Sequence, residues 1–193
     1  MQVSDKFQVW RLSGPDDVFA YLPDQSQQHV KNSINMDKQT LTNRLAEKLI
    51  FFGVLLFFLG LIVGLFIPVM ANPRMGLSSH LEGILNGIFL IVLGLIWHKV
   101  KLSARWLKIT YALAIYGTFA NWAGILVAAI LDAGAPLTVA AQGNQGTPLA
   151  EAIVGFALIT LTIAMLTISV TVLVGLRRNM KREKPSQPAL VSG

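Results

Sequence analysis

Four long apolar runs, nearly free of charge, set the strongest limit on how this chain can fold. A helix that crosses the hydrocarbon core of a bilayer needs about 20 consecutive residues of this kind. The second run carries His80, Glu82 and Asn86, but the stretch after Glu82 is apolar and Trp97 provides an interfacial anchor. The sequence therefore predicts an all-α integral membrane protein, a four-helix bundle with spans at about residues 49–71, 78–97, 107–131 and 151–176.

The composition removes several other classes of protein. Of 193 residues, 53% are apolar and only 13% are charged, which is too little polar surface for a soluble domain. The net charge is +6, but the basic residues flank the apolar runs and form no single patch, so we expect no nucleic-acid partner. The chain has no cysteine, which excludes disulfides, thiolate metal sites and cysteine nucleophiles.

The short connections predict the orientation of the spans. Basic residues precede the first span, join the second to the third and follow the fourth, whereas the other two connections hold only Arg74. Lysine and arginine accumulate on the cytoplasmic side of such proteins, so both termini are expected to be cytoplasmic. Residues 1–43 are predicted to be a polar, mostly disordered cytoplasmic arm, 44–178 the membrane domain and 179–193 an unstructured basic tail.

Polar residues inside the spans are the first candidates for function, because burying them in a membrane is costly. Asn86 and Asn121 lie about 12 and 15 Å from the predicted outer ends of their helices. Tyr116 is deeper, and four more groups lie near the outer rim: His80, Glu82, Asp132 and Glu151. The inner half is almost entirely apolar. This distribution predicts a pocket that opens outward or into the outer leaflet, and disfavours a pore or transporter, which needs polar lining throughout.

A stripe of small residues accompanies these groups on the second span. Gly83 and Gly87 form a GxxxG pair in line with His80, which allows a helix or a flat ligand to approach closely. Glu82 and Asn86 share another face, and His80 and Asn86 lie about 120° apart on an ideal helical wheel. Whether those two line one pocket is left open by the sequence.

Plainer readings of the same residues stand beside these. The GxxxG pair can serve helix packing alone, and a histidine at a membrane rim can simply be an interfacial hydrogen-bonding group. Asn86 and Asn121 can bond to each other across two helices. Glu151 can be a favourable acid in the first turn of its helix. No zinc pattern, P-loop, nucleophile elbow or dinucleotide fingerprint is present.

Two segments resemble a known family. The strings NPRMGLSSHLEGILNG (residues 72–87) and YGTFANW (residues 116–122) are similar to hydroxylaminobenzene mutases. These are small bacterial four-helix membrane enzymes that convert an arylhydroxylamine to a 2-aminophenol by an intramolecular hydroxyl shift. The resemblance covers about residues 44–178 and implies a bacterial inner-membrane isomerase with a small aromatic substrate. Residues 1–43 have no counterpart in it.

A more distant resemblance is to styrene oxide isomerases. They share a His-x5-Asn-Gly pattern, matched by His80, Asn86 and Gly87, and an asparagine matched by Asn121. That family implies a ferric haem b in a trimer, with His80 as the iron ligand and Gly83 and Gly87 making room for the porphyrin. Glycine-lined helix faces would then form the oligomer. Where that family suggests a catalytic tyrosine, this chain has Ile125, which weakens epoxide chemistry by the same route.

Together the two resemblances imply Lewis-acid isomerisation at a ferric haem b. Asn86 and Asn121 would orient the substrate, and Tyr116 and Glu82 are candidates for proton transfer. Two alternatives stay open: an epoxide-to-aldehyde isomerase, and a haem-binding sensor or assembly protein without turnover.

Overall fold

Four helices make up most of the computed structural model, which describes residues 24–133 and 146–182. No strand occurs in these two ranges, and each helix is long and apolar enough to cross a membrane. The prediction of an all-α protein with four candidate spans is confirmed. The helices are α1 (Asp24–Phe66), α2 (Pro73–Ile96), α3 (Ala104–Leu131) and α4 (Pro148–Arg182), with 3₁₀ turns at Ile67–Val69 and Trp97–Lys99.

Two helices extend further than predicted. Helix α1 begins at Asp24, inside the arm predicted to be mostly disordered, and α4 continues to Arg182, inside the predicted tail. The stretches 24–43 and 177–182 contain no glycine or proline that would end a helix. Once a long apolar helix has formed, each added residue avoids the cost of nucleation. The remainder of the arm and tail lies outside the described residues.

The compact unit that carries the candidate site begins at Leu41, and the described residues before it belong to a separate unit. Within the compact unit, α2 packs against α3 and α3 against α4. Glycines on α1 and α2 bring these two helices into close contact as well. The start of α2, the end of α3 and the start of α4 lie together at one end of this unit, which we call the Asn72 end.

Side-chain caps fix the starts of α2 and α3. The Asn72 side chain accepts a hydrogen bond from the Met75 amide at the start of α2, where Pro73 occupies the first turn. Ser103 caps α3 in the same way. Helix α3 ends at Leu131, and the capping residue Asp132 adopts the left-handed conformation with φ 50°, which aspartate tolerates better than most residues.

The apolar core consists of two clusters separated along the helix axes. One includes Met75 and Ile125 and lies toward the Asn72 end. The other includes Leu90 and Ala114 and lies toward the connection between α2 and α3. The polar residues described next lie between these clusters: on α2 between Met75 and Leu90, and on α3 between Ala114 and Ile125.

Candidate functional site

A hydrogen-bonded layer of one carboxylate and two amides joins α2 to α3. Oε2 of Glu82 accepts from Asn86 Nδ2 at 3.1 Å and from Asn121 Nδ2 at 2.5 Å. Asn86 is 7% exposed, and the other two side chains are partly buried. The structure therefore brings together three of the predicted site residues. The alternative that the two asparagines bond to each other is replaced by a shared bond to Glu82.

His80 faces a different helix from this layer. Its Nδ1 lies 2.8 Å from the carbonyl oxygen of Gly60 on α1. A Cβ on Gly64, one turn further along α1, would come within 2.7 Å of the same Nδ1 atom. His80 therefore contacts α1 while Glu82 contacts α3. This answers the question left open by the helical wheel: within one chain, His80 and Asn86 belong to different faces of α2.

The glycine stripe of α2 is covered by α1. A Cβ on Gly83 would lie 2.6 Å from Gly60 Cα, and a Cβ on Gly87 would lie 2.7 Å from the Gly53 carbonyl oxygen. Neither glycine leaves room for a porphyrin or for a second subunit. The expectation that Gly83 and Gly87 bind a cofactor or form an oligomer contact is replaced by close helix packing, the plainer reading of the GxxxG pair.

Trp122, next to Asn121 on α3, completes the contact between the three helices. Its Cδ1 would lie 3.0 Å from a Cβ on Gly83, and its carbonyl oxygen accepts from Ser79 Oγ at 3.3 Å. The indole Nε1 is enclosed and has no hydrogen-bond partner in the described part of the chain. Sequence reasoning assigned no role to Trp122 or Gly60. The Gly60-x3-Gly64 spacing on α1, which is typical of close helix packing, could have indicated Gly60.

The remaining candidates lie apart from the layer. The Tyr116 hydroxyl is 2.8 Å from Thr160 Oγ1 on α4, and the residue is 45% exposed. Asp132 Oδ1 accepts from Asn72 Nδ2 at 3.0 Å, and Glu151 Oε1 accepts from the Gly146 amide at 2.7 Å. The two acids thus stabilise connections at the Asn72 end. The structure does not join Tyr116 to Glu82 or Asn121.

An open apolar cavity lies between α1 and α3 at the Asn72 end, and three of its lining side chains are exposed: Phe66, Val69 and Ile130. Its volume is about 600 Å³, within the range of small-molecule pockets. Val63 lies one turn beyond Gly60 on α1, and Leu126 lies beyond Asn121 on α3, so the cavity lies on the Asn72 side of the polar layer. Its lining is Ile62, Val63, Phe66, Val69, Met70, Ala71, Leu126 and Ile130.

The donor chemistry of His80 fits a residue that would hold a haem iron. A carbonyl oxygen can only accept, so the Gly60 contact places the proton on Nδ1 and leaves the lone pair on Nε2. Metal-binding histidines commonly use this arrangement. No cluster of three or more His, Cys, Asp or Glu side chains that could hold a metal ion occurs in residues 24–133 and 146–182.

Comparison with known proteins gives a consistent result. The styrene oxide isomerase family is matched by residues 45–177. Hydroxylaminobenzene mutase HabB of Ectopseudomonas oleovorans is 45% identical over 146 residues, which cover 75% of this chain and 89% of HabB. Hydroxylaminobenzene mutase HabA of the same organism is 46% identical over 127 residues, 65% of this chain and 94% of HabA. No solved structure matches.

Fold, polar layer and relatives define a helical membrane protein of the isomerase class, as the sequence predicts. The chain belongs to the styrene oxide isomerase family. The resemblance to hydroxylaminobenzene mutases is confirmed over most of the chain.

Proposed function

We propose that this protein moves the hydroxyl group of an arylhydroxylamine to the ortho carbon, giving a 2-aminophenol. The observation that carries this proposal is the layer of Glu82, Asn86 and Asn121, which places hydrogen-bonding oxygens and amides between two apolar clusters. Two hydroxylaminobenzene mutases at about 45% identity support the same reaction.

We also propose ferric haem b as the cofactor, with Nε2 of His80 as the protein ligand. When bound, it supplies a Lewis acid that polarises the N–O bond. Gly60 acts as a positioning residue, because its carbonyl oxygen holds the imidazole in the required tautomer. Gly83 and Gly87 have no part in holding the cofactor, since α1 covers both.

The reaction is an isomerisation, and the chain's own residues account for its proton transfers. The N–O bond breaks, a C–O bond forms at the ortho carbon, that carbon loses a proton and the nitrogen gains one. Glu82 is the carboxylate of the layer and would take the ortho proton and return it to nitrogen. Asn86 and Asn121 would orient the substrate and hold the oxygen as it moves.

The surroundings of the layer favour an intramolecular shift. Apolar clusters on both sides would limit the access of bulk water to the layer, so we expect return of the substrate's own oxygen to compete well against attack by solvent. The apolar cavity at the Asn72 end suits an aromatic ring. An apolar substrate would reach it through the bilayer, and we place the protein in the bacterial inner membrane as a homo-oligomer, with a trimer expected.

A second candidate is epoxide-to-aldehyde isomerisation, favoured by the family match. Ile125 argues against it. This side chain is 7% exposed, packs in the apolar cluster with Met75 and offers no hydroxyl at the position where the more distant family suggests a tyrosine. A haem protein without turnover is the remaining alternative.

Conversion of hydroxylaminobenzene by membranes containing the full chain tests the proposal. We expect 2-aminophenol to form without NAD(P)H or oxygen, because there is no net redox change. In ¹⁸O-labelled water the product should retain the substrate's unlabelled oxygen. Asn86→Ala and Asn121→Ala should each lower the rate more than the haem content.

The outcomes separate the candidates. Solvent oxygen in the product would contradict the intramolecular shift even if 2-aminophenol formed. Turnover of styrene oxide with none of hydroxylaminobenzene would favour the epoxide isomerase. A Soret band without turnover of either substrate would favour a sensor or assembly protein.

A further inference from the structure

The hydrogen bonds to Glu82 determine how the side-chain amides of Asn86 and Asn121 are oriented. Oε2 of Glu82 accepts both bonds, and an amide donates only through its nitrogen, so both asparagines present their nitrogen atoms to Oε2. The nitrogen and oxygen of a side-chain amide are alike in size, so the hydrogen-bond partner is what assigns the orientation of the two amide groups. Each amide oxygen, Oδ1 of Asn86 and Oδ1 of Asn121, is therefore on the side away from that bond.

The layer consequently carries an excess of acceptors. Three oxygens have no hydrogen-bond partner among the described residues: Oε1 of Glu82, Oδ1 of Asn86 and Oδ1 of Asn121. Only two amide protons of the layer are not already donated to Glu82, one on each asparagine. Glu82 lies about 13 Å along α2 from Pro73, inside a helix long enough to cross a membrane. A carboxylate oxygen left without a donor there is costly.

We infer that Glu82 sets Asn86 and Asn121 as hydrogen-bond acceptors and so makes the site selective for ligands that carry N–H and O–H donors. This rests on the proposed function and names its substrate class: N-hydroxy aryl amines, whose –NH–OH group offers two donors. An epoxide offers only an acceptor oxygen and leaves Oε1 of Glu82 unpaired. Glu82 acts on selectivity through both of its oxygens: Oε2 orients the two asparagines, and Oε1 accepts from the ligand.

Binding of unreactive ligands to the detergent-purified full chain tests this inference without requiring turnover. N-benzylhydroxylamine has the same two donors, but its methylene group prevents delocalisation of positive charge into the ring. Its N-methyl, O-methyl and N,O-dimethyl derivatives remove one donor, the other, or both. By calorimetric titration we expect each methylation to weaken binding about tenfold, and styrene oxide to bind like the dimethyl compound.

Glu82→Gln tests the role of the carboxylate. The new amide can donate as well as accept, so one asparagine can turn its nitrogen toward the ligand. We expect the preference for the unmethylated ligand over the dimethyl compound to fall from about 100-fold to below about tenfold. Thr118→Val is the matched control: it lies one turn from Asn121, is buried, and its hydroxyl bonds only to carbonyls of its own helix. It should keep the full preference.

Two results would overturn the inference. One is equal binding of all four ligands, within threefold, by the unaltered protein, which needs no variant to fold. The other is a folded Glu82→Gln protein that retains the full donor preference. A donor preference without any 2-aminophenol from hydroxylaminobenzene would contradict the proposed reaction and leave the selectivity of the site standing.

Discussion

Nδ1 of His80 lies 2.8 Å from the carbonyl oxygen of Gly60, so α1 determines how the imidazole of α2 is oriented. The contact leaves Nε2 as the nitrogen with a free lone pair. It also explains why His80 does not join the neighbouring polar layer, although both lie on the same two turns of α2. Orientation by a main-chain carbonyl is independent of the side chain at position 60.

His80→Ala is expected to abolish Soret absorbance of the purified protein, because alanine keeps the helix and removes the ligand. Absorption spectra and a haem assay on detergent-purified protein provide the measurement, with size-exclusion chromatography as the check on folding. His29→Ala and His98→Ala are the controls, since the sequence holds only three histidines. Absorbance that persists in His80→Ala and disappears in one of these controls would move the ligand to that residue.

Gly83→Ala is expected to destabilise the contact between α1 and α2. The added Cβ would lie 2.6 Å from Gly60 Cα and 3.0 Å from Trp122 Cδ1, and the helix backbone cannot yield without moving α1. We expect the free energy of unfolding to fall by about 1–3 kcal/mol, seen as a lower melting temperature in detergent.

Gly124→Ala on α3 is the matched control for that prediction. Its Cβ would meet only Ala157 Cβ at 3.6 Å, an ordinary contact, and alanine favours a helix over glycine by about 1 kcal/mol. The melting temperature should be equal or higher. A Gly83→Ala protein as stable as Gly124→Ala would contradict the close packing of α1 on α2.

Asn72→Ala is expected to lower the free energy of unfolding by about 1–3 kcal/mol, because this 6%-exposed side chain makes two bonds. It caps α2 at the Met75 amide and donates to Asp132 at the end of α3. Asn72→Ser keeps a capping oxygen but is too short to reach Asp132. Its melting temperature should fall between those of the unaltered protein and Asn72→Ala, and equality with Asn72→Ala would show that the cap contributes nothing.

Reporter fusions test the proposed orientation. A fusion after residue 145 should report from outside the cytoplasm, and a fusion after residue 184 from within it, because the basic connections are held on the cytoplasmic side. The measurement uses one reporter active only outside and one active only inside. A cytoplasmic signal at residue 145 would reverse the orientation and place the Asn72 end on the other face.

The sequence by itself determined the four spans and the identity of the polar groups inside them. Bilayer thickness fixes the length of an apolar run, so four long apolar stretches with almost no charge identify α1 to α4 without reference to their neighbours. The ends of the helices were predicted less well. Residues 24–43 are polar and were predicted to be mostly disordered, but they are helical, because they extend an apolar helix and contain no residue that stops one. The strings around His80 and Asn121 were distinctive enough to indicate the family.

Only the tertiary structure decided which of these groups meet. A helical wheel gives the face on which a residue lies, but the neighbour on that face depends on how helices distant in sequence pack. Thus Glu82 was found between Asn86 and Asn121, and Tyr116 was found with Thr160 on α4. Gly83 and Gly87 were covered by α1, because helices without side chains at their contact approach until their backbones touch, and that contact leaves no space for anything else.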